Sequence, residues 1–295
     1  DKVDCILKVS PSVQQSEKRF IKIIYLLVNF LLTVYNVKIV TLTLLKLNMR
    51  YIIIYTVITF LLFACETPAN ERGEHKSDSI QFEVKYFGAL KNIMHKGDIS
   101  AQTDLSNFEN IKHLYAIGAL ENLKGEIQII DGKSHNTLVV DSAISFDRSF
   151  DKKATLLVYA TIEKWNYFKI PDEIKTYEQL ENHITSVAKE NDININKPFP
   201  FMIDGNIDSF NWHVINWKDG DTEHSHEKHV NSGPHGTVEN RDVELIGFYS
   251  DSHHAIFTHH TTNMHIHVKT LDNKIAGHVD DLTLGKGMIL RLPGI

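Results

Sequence analysis

Residues 263–284 read NMHIHVKTLDNKIAGHVDDLTL, and the three histidines inside this run, His265, His267 and His278, decide how the chain is read. Met264-His265-Ile266-His267-Val268 alternates as a half-buried β-strand does, and the strand continues through Lys269, Thr270 and Leu271. Asp272-Asn273 is turn chemistry, and residues 275–284 read as the returning strand. The two-residue strand period sets His265 and His267 on one face. With Asp272 and Asn273 as a two-residue loop, Leu271 pairs with Lys274, and counting back pairs His267 with His278. Cβ atoms of directly opposed residues lie about 5 Å apart, and those of diagonal neighbours such as His265 and His278 about 7 Å. Three imidazoles then converge on one point. That suits Zn²⁺, or another divalent transition metal, at about 2.0–2.1 Å from each nitrogen. Three protein ligands leave a tetrahedral zinc one open position, as in catalytic rather than structural sites. The competing reading is a set of cross-strand histidines on a solvated face.

His265-Ile266-His267, ten residues, then His278 (within Gly277-His278-Val279, with Asp281 close behind) resembles the zinc-binding hairpin of the α-acetolactate decarboxylases. The resemblance extends upstream to about residue 81. Phe87-Gly88-Ala89-Leu90 through Gly97-Asp98 is similar to the family's opening, a glycine before a short helix that ends in a Gly-Asp pair. Residues 101–112 read as an insertion before the family pattern resumes at Tyr115-Ala116-Ile117-Gly118. Leu123-Lys124-Gly125-Glu126 resembles the Leu-x-Gly-Glu motif, whose glutamate sits at the metal and transfers protons, and Glu126 is the matching residue. Without the family, residues 125–130 are a strand that turns at Asp131-Gly132 toward residues 136–142, and Glu126 is an ordinary solvated residue. Asp204-Gly205 reads as a turn between two strands, similar to an Ile-Asp-Gly hairpin in which a family arginine pairs with the substrate carboxylate. Here His213 stands at the arginine's place, one donor instead of a bidentate fork. The family's further glutamate, C-terminal to the third histidine, finds no match in residues 279–295.

The resemblance implies an α+β fold, mostly antiparallel or mixed β-sheet around a β-barrel-like core with few helices, and a metal site on the C-terminal hairpin. It implies decarboxylation of 2-acetolactate, a small 2-hydroxy-3-oxo acid, to acetoin. Zinc on His265, His267 and His278 would stabilise the enolate, Glu126 would move the proton and His213 would orient the substrate. A homodimer is left open. Two other functions stay in view: a zinc-capture lipoprotein without catalysis, and a zinc-dependent hydrolase on the same scaffold.

Other segments read more simply. Residues 154–162 are β-branched and apolar, a central strand. Thr176 and Gln179 form a capping box for a helix whose Leu180, Ile184, Val187 and Ala188 recur at helical spacing up to Glu190, with His183 as surface or core filler. His224, His226, His229 and His235 lie in a polar Gly-Pro loop, either metal-scavenging or simply solvated. Of His253, His254, His259 and His260, at least one is expected to reach the site. His260 is the first choice, with His254 as a further candidate.

Of 17 histidines in 295 residues, 12 fall between His213 and His278, so the excess belongs to one region. A net charge of −6 without a basic stripe argues against a nucleic-acid partner. The chain begins at Asp1, and residues 1–48 carry no domain signal, although residues 23–45 are apolar enough to consider as a membrane span. Met49 is the expected natural start. From there, residues 49–65 read as a signal peptide ending in Leu62-Phe63-Ala64-Cys65, which resembles a bacterial lipobox with lipid on Cys65. Residues 66–80 read as a tether and residues 81–295 as the domain. The expected product is an exported lipoprotein, anchored in a membrane and facing the periplasm or cell exterior. Only Cys5 and Cys65 exist, so no disulfide braces such a domain.

Overall fold

The computed structural model describes residues 82–259 and 261–294, together with Leu27 and Leu31. Cys65, the segments assigned to export and tether, residue 81 and His260 lie outside the described residues. Among those described, no helix is long and apolar enough to cross a membrane.

Two antiparallel sheets carry the domain. The first joins β1 (Lys85–Phe87), β2 (Thr103–Asp104), β3 (Leu114–Leu120), β4 (Gly125–Ile130), β5 (Lys133–Ser134), β6 (Asn136–Val140), β7 (Ala143–Asp147) and β8 (Lys153–Thr161). Its order is β1-β8-β3-β4-β6-β7, with β2 on β8 and β5 on β4. The second joins β9 (Trp165–Lys169), β10 (Phe199–His213), β11 (His235–Tyr249), β12 (Met264–Thr270), β13 (Ala276–Thr283) and β14 (Ile289–Pro293). In it, β10, β11, β12 and β13 pair in a closed ring, because β11 bonds both β12 and β10, and β14-β9 extends from β10. A closed ring has no edge strand, which is the barrel-like element of the α+β fold. Three helices complete it: α1 (Leu90–Lys96), α2 (Tyr177–Glu190) and α3 (His226–Val230).

The strand period decides which face of the first sheet meets the second. Tyr115 and Ile117 on β3 and Ile130 on β4 pack with Met202, Ile246 and Phe248 of the second sheet. The alternate set, Leu114, Ala116, Ile127 and Ile129, faces the other way and meets Leu105, Phe108 and Phe150. Leu105 and Phe108 belong to the inserted residues 101–112, which fold as β2 and a 3₁₀ turn and cover the sheet's outer face. Burying two such side chains contributes about 1.5–3 kcal/mol each, so the insertion is part of the core. On α2 the capping box forms as the sequence indicates, with Thr176 accepting from Gln179 N and the Gln179 side chain returning to the Thr176 backbone. Its Leu180, Ile184, Val187 and Ala188 close the second sheet's other face.

Three expectations need correction. The alternation of Phe82, Val84 and Tyr86 reads as a first strand over residues 81–86, but β1 starts only at Lys85. Asp204-Gly205 is not a turn: β10 runs through it unbroken, pairing Asp204 with Glu244 and Gly205 with Val243. Gly205 has φ +141°, a conformation glycine adopts freely, and a Cβ there would lie 3.0 Å from Met288. The glycine therefore lies inside a long strand, with Met288 packed on it, instead of reversing the chain. Finally, residues 224–235 are not an open loop. Ser225 caps the single turn of α3, its side chain accepting from Lys228 N.

Candidate metal centre

The β12–β13 register is the one that the hairpin count predicts, with His267 opposite His278, Val268 opposite Gly277 and Lys269 opposite Ala276. The connecting loop differs in detail. Thr270 N bonds Ile275 O, and Asn273 N returns to Thr270 O at φ +53°, so the loop holds four residues while the register is unchanged. Gly277 allows β10 to approach, since a Cβ there would sit 2.4 Å from the His213 carbonyl oxygen.

His265, His267 and His278 each bring one ring nitrogen into a group whose members all lie within 4.8 Å of one another. The rings stand 5.0, 4.9 and 5.5 Å apart between centroids. His267 is fully buried and His265 nearly so. Their Nε2 atoms are 3.2 Å apart, close to the ~3.3 Å between two nitrogens bound tetrahedrally to one zinc. Burial, first of all, depresses all three: His265 falls to about 3, and His267 and His278 lie well below the ordinary imidazole value. Neutral rings keep their lone pairs for a metal. The backbones of Phe257 and Ile127 act as acceptors toward His265 and His267, although neither Nδ1 reaches full hydrogen-bond geometry. That arrangement favours Nε2 as the donor to a metal. The three residues therefore fit a zinc ion.

Glu126 enters from the other sheet. The β4 alternation turns it toward the second sheet, where it is 5% exposed, so it is not a solvated strand residue. Its Oε1 accepts from Ile215 N at 2.9 Å, and its Oε2 lies 3.7 Å from His267 Nε2. Burial pushes its pKa up to about 7, against the opposing effects of His213 and the Ile215 N–H. His213 ends β10 directly opposite His278, with ring centroids 4.9 Å apart. Its Nδ1 meets Asp280 Oδ2 at 2.9 Å. Asp280 reaches it through a β-bulge: Asn211 pairs with Asp281 but Trp212 with Val279, so Asp280 is the extra residue. Bulges re-aim side chains in this way beside functional sites.

Glu126, His213, His265 and His278 line an inner cavity of ≈ 70 Å³, whose apolar wall includes Leu90, Ile93, Leu156 and Phe257. His226, His229 and His259 line it too. Sequence reading assigned the first two to a distal loop and passed over His259 for its neighbour. His226 and His229 are spaced i, i+3, a helical signal that the flanking Gly and Pro obscured. His278 and Asp280 share a strand period, which was a legible hint. His254 is elsewhere: its Nε2 bonds Asn263 Oδ1 at 2.6 Å, and Asn263 is also tied to Glu181, so His254 steadies the loop. His224 stacks on Trp217 and meets His229 Nε2 at 2.9 Å. His183 lies on α2, away from the triad.

The family model for alpha-acetolactate decarboxylase matches residues 91–291. Among solved structures, the alpha-acetolactate decarboxylase of Bacillus subtilis strain 168 shares 16% identity over 72% of this chain and 86% of its own, with a TM-score of 0.57. A Staphylococcus aureus protein of unknown function, similar to alpha-acetolactate decarboxylase, shares 14% identity over 72% and 85%, with a TM-score of 0.54. At these identities the likeness establishes the fold. No curated protein matches the sequence significantly.

Proposed function

The chain belongs to the alpha-acetolactate decarboxylase family, and from that premise we propose that it is a zinc-dependent carboxy-lyase converting 2-acetolactate to acetoin. One observation carries the proposal: Glu126 from the first sheet meets the imidazole triad of the second, and Glu126, His265 and His278 line one cavity. His265, His267 and His278 are the residues that would hold zinc, which would supply a Lewis acid beside the oxygens of the reacting carbons.

The chain's own groups have distinct tasks. When the carboxylate leaves as CO₂, its bonding pair stays on carbon, and a proton must arrive there. Glu126 carries that proton: burial keeps the carboxyl partly protonated near neutrality, and the Ile215 N–H fixes Oε1 so that Oε2 is the atom facing the imidazoles. His213 donates Nδ1–H to Asp280, which leaves Nε2 for the substrate carboxylate; it donates there only in the doubly protonated ring. The apolar wall limits water as a competing proton source.

The test is acetoin and CO₂ formation from 2-acetolactate by zinc-loaded protein. Activity that disappears with a chelator and returns with zinc supports the reading; a zinc-loaded protein that forms no acetoin overturns it. The histidines at the mouth of the cavity favour one competitor, a zinc-capture protein using the same triad. We also propose export with a lipid on Cys65. Cys65→Ser should move the protein out of the membrane fraction, and unchanged fractionation would remove the anchor.

A further inference from the structure

The inner cavity opens beside a larger one of ≈ 660 Å³, and His226, His259 and His278 line both. At this junction stands a second set of ligand-type side chains that the decarboxylation above does not use. The His226 and His259 rings meet edge-on with centroids 5.1 Å apart, within the 4.9–5.5 Å spread of the inner triad. Asp280 Oδ1 lies 3.8 Å from His226 Nε2. That oxygen is shut from solvent and accepts no hydrogen bond, while Oδ2 of the same carboxylate is occupied by His213. A buried carboxylate oxygen without a donor is costly, and a cation between it and the imidazoles would remove the cost. The outer cavity adds Glu178, Glu181 and Asp281 to its lining and no lysine or arginine. Such a surface raises the local concentration of cations.

We propose that His226, His259 and Asp280 close on a divalent cation as a second, weaker site in the access route to the inner triad. Among the described residues only the inner triad already has its ligand atoms within 4.8 Å of one another, so here the side chains move to meet the ion. Two imidazoles and one carboxylate are a ligand set that zinc accepts. The His226 side chain is 55% exposed, so the bound cation exchanges readily with solvent. The proposal goes beyond the decarboxylase reading and shares with it only the assignment of the inner triad as a metal site.

Full-length protein stripped of metal and titrated with Co²⁺, followed by calorimetry and by visible absorbance, tests this. Wild type should bind one tight and one weak equivalent. The double variant His226→Ala/His259→Ala should keep the tight equivalent and lose the weak one. His226→Gln, a conservative change at an exposed position, removes an imidazole ligand and should weaken the second equivalent by more than the ~10–100-fold of an outer-shell change. His267→Ala should show the converse, losing the tight equivalent and keeping the weak one. A wild type that binds one tight equivalent only, or a double variant that still binds two, overturns the second site. A single weak equivalent that vanishes in the double variant supports the second site and rejects the inner triad instead.

Discussion

His265, His267 and His278 sit on paired strands, whereas His226 and His259 sit on a five-residue helix and in a connecting segment. Members of both sets line the inner cavity, and His278 lines the outer one with His226 and His259. In the first, backbone hydrogen bonds between β12, β13 and β11 fix the ring positions, and burial strips the imidazoles of water and protons. In the second, α3 is held at its start by one capping contact from Ser225, and His226 is largely solvated. The same side chain is thus a preorganised ligand in one place and an adaptable one in the other. What separates them is how much of the ordering cost the fold has already met.

Removing a ligand from the rigid set should give the largest effect. His267→Ala is expected to abolish tight zinc binding, a loss well beyond the ~10–100-fold of an outer-shell change, and acetoin formation with it. Equilibrium dialysis against zinc checks this; retained tight binding would mean that the strand-held triad is not the metal site.

Glu126→Gln comes next. It should leave the tight zinc equivalent in place and lower turnover by about 10²–10⁴-fold. Wild-type turnover would remove Glu126 from proton transfer, and loss of zinc would make it a ligand instead.

Acid should then distinguish the sets through stability. For metal-free protein, His265 is held at about 3 against an ordinary 6.5, so the unfolded chain binds more protons between those values. Its stabilising contribution is complete above about pH 6.5 and falls by about 1.4 kcal/mol per pH unit below it, about 2 kcal/mol by pH 5 for this residue alone. Urea midpoints at pH 7 and pH 5 measure it in the Glu126→Gln background, since the raised Glu126 carboxyl shifts stability the opposite way over this range; equal midpoints there would contradict the desolvation of the triad.

The smallest effect is expected at His254. His254→Ala removes its contact with Asn263 and should cost about 0.5–1.5 kcal/mol, with the tight zinc equivalent unchanged. Loss of that equivalent would show that the segment before β12 also shapes the inner site.

Much of the inner site was legible because its determinants are local. The strand period and the turn chemistry at Asp272-Asn273 specify the His267–His278 register, and a loop of four residues instead of two preserves the same count. Gly125-Glu126 was legible only through its motif, since a lone glutamate in a strand carries no sign of which sheet will cover it. Asp204-Gly205 signals a turn because a glycine stands beside an aspartate, while the Met288 that packs on Gly205 within an unbroken β10 comes from 83 residues further on.

By itself the sequence determined the strand-and-hairpin content, the α2 cap and the face shared by His265 and His267, all consequences of neighbours within a few residues. Tertiary structure alone decided that Glu126 would be buried against His267, that a bulge would turn Asp280 to His213, and that α3 and the segment holding His259 would close over the cavity. Those outcomes depend on pairings between strands and loops far apart in the chain. Periodicity records which face a residue occupies, but not what the rest of the molecule brings to that face.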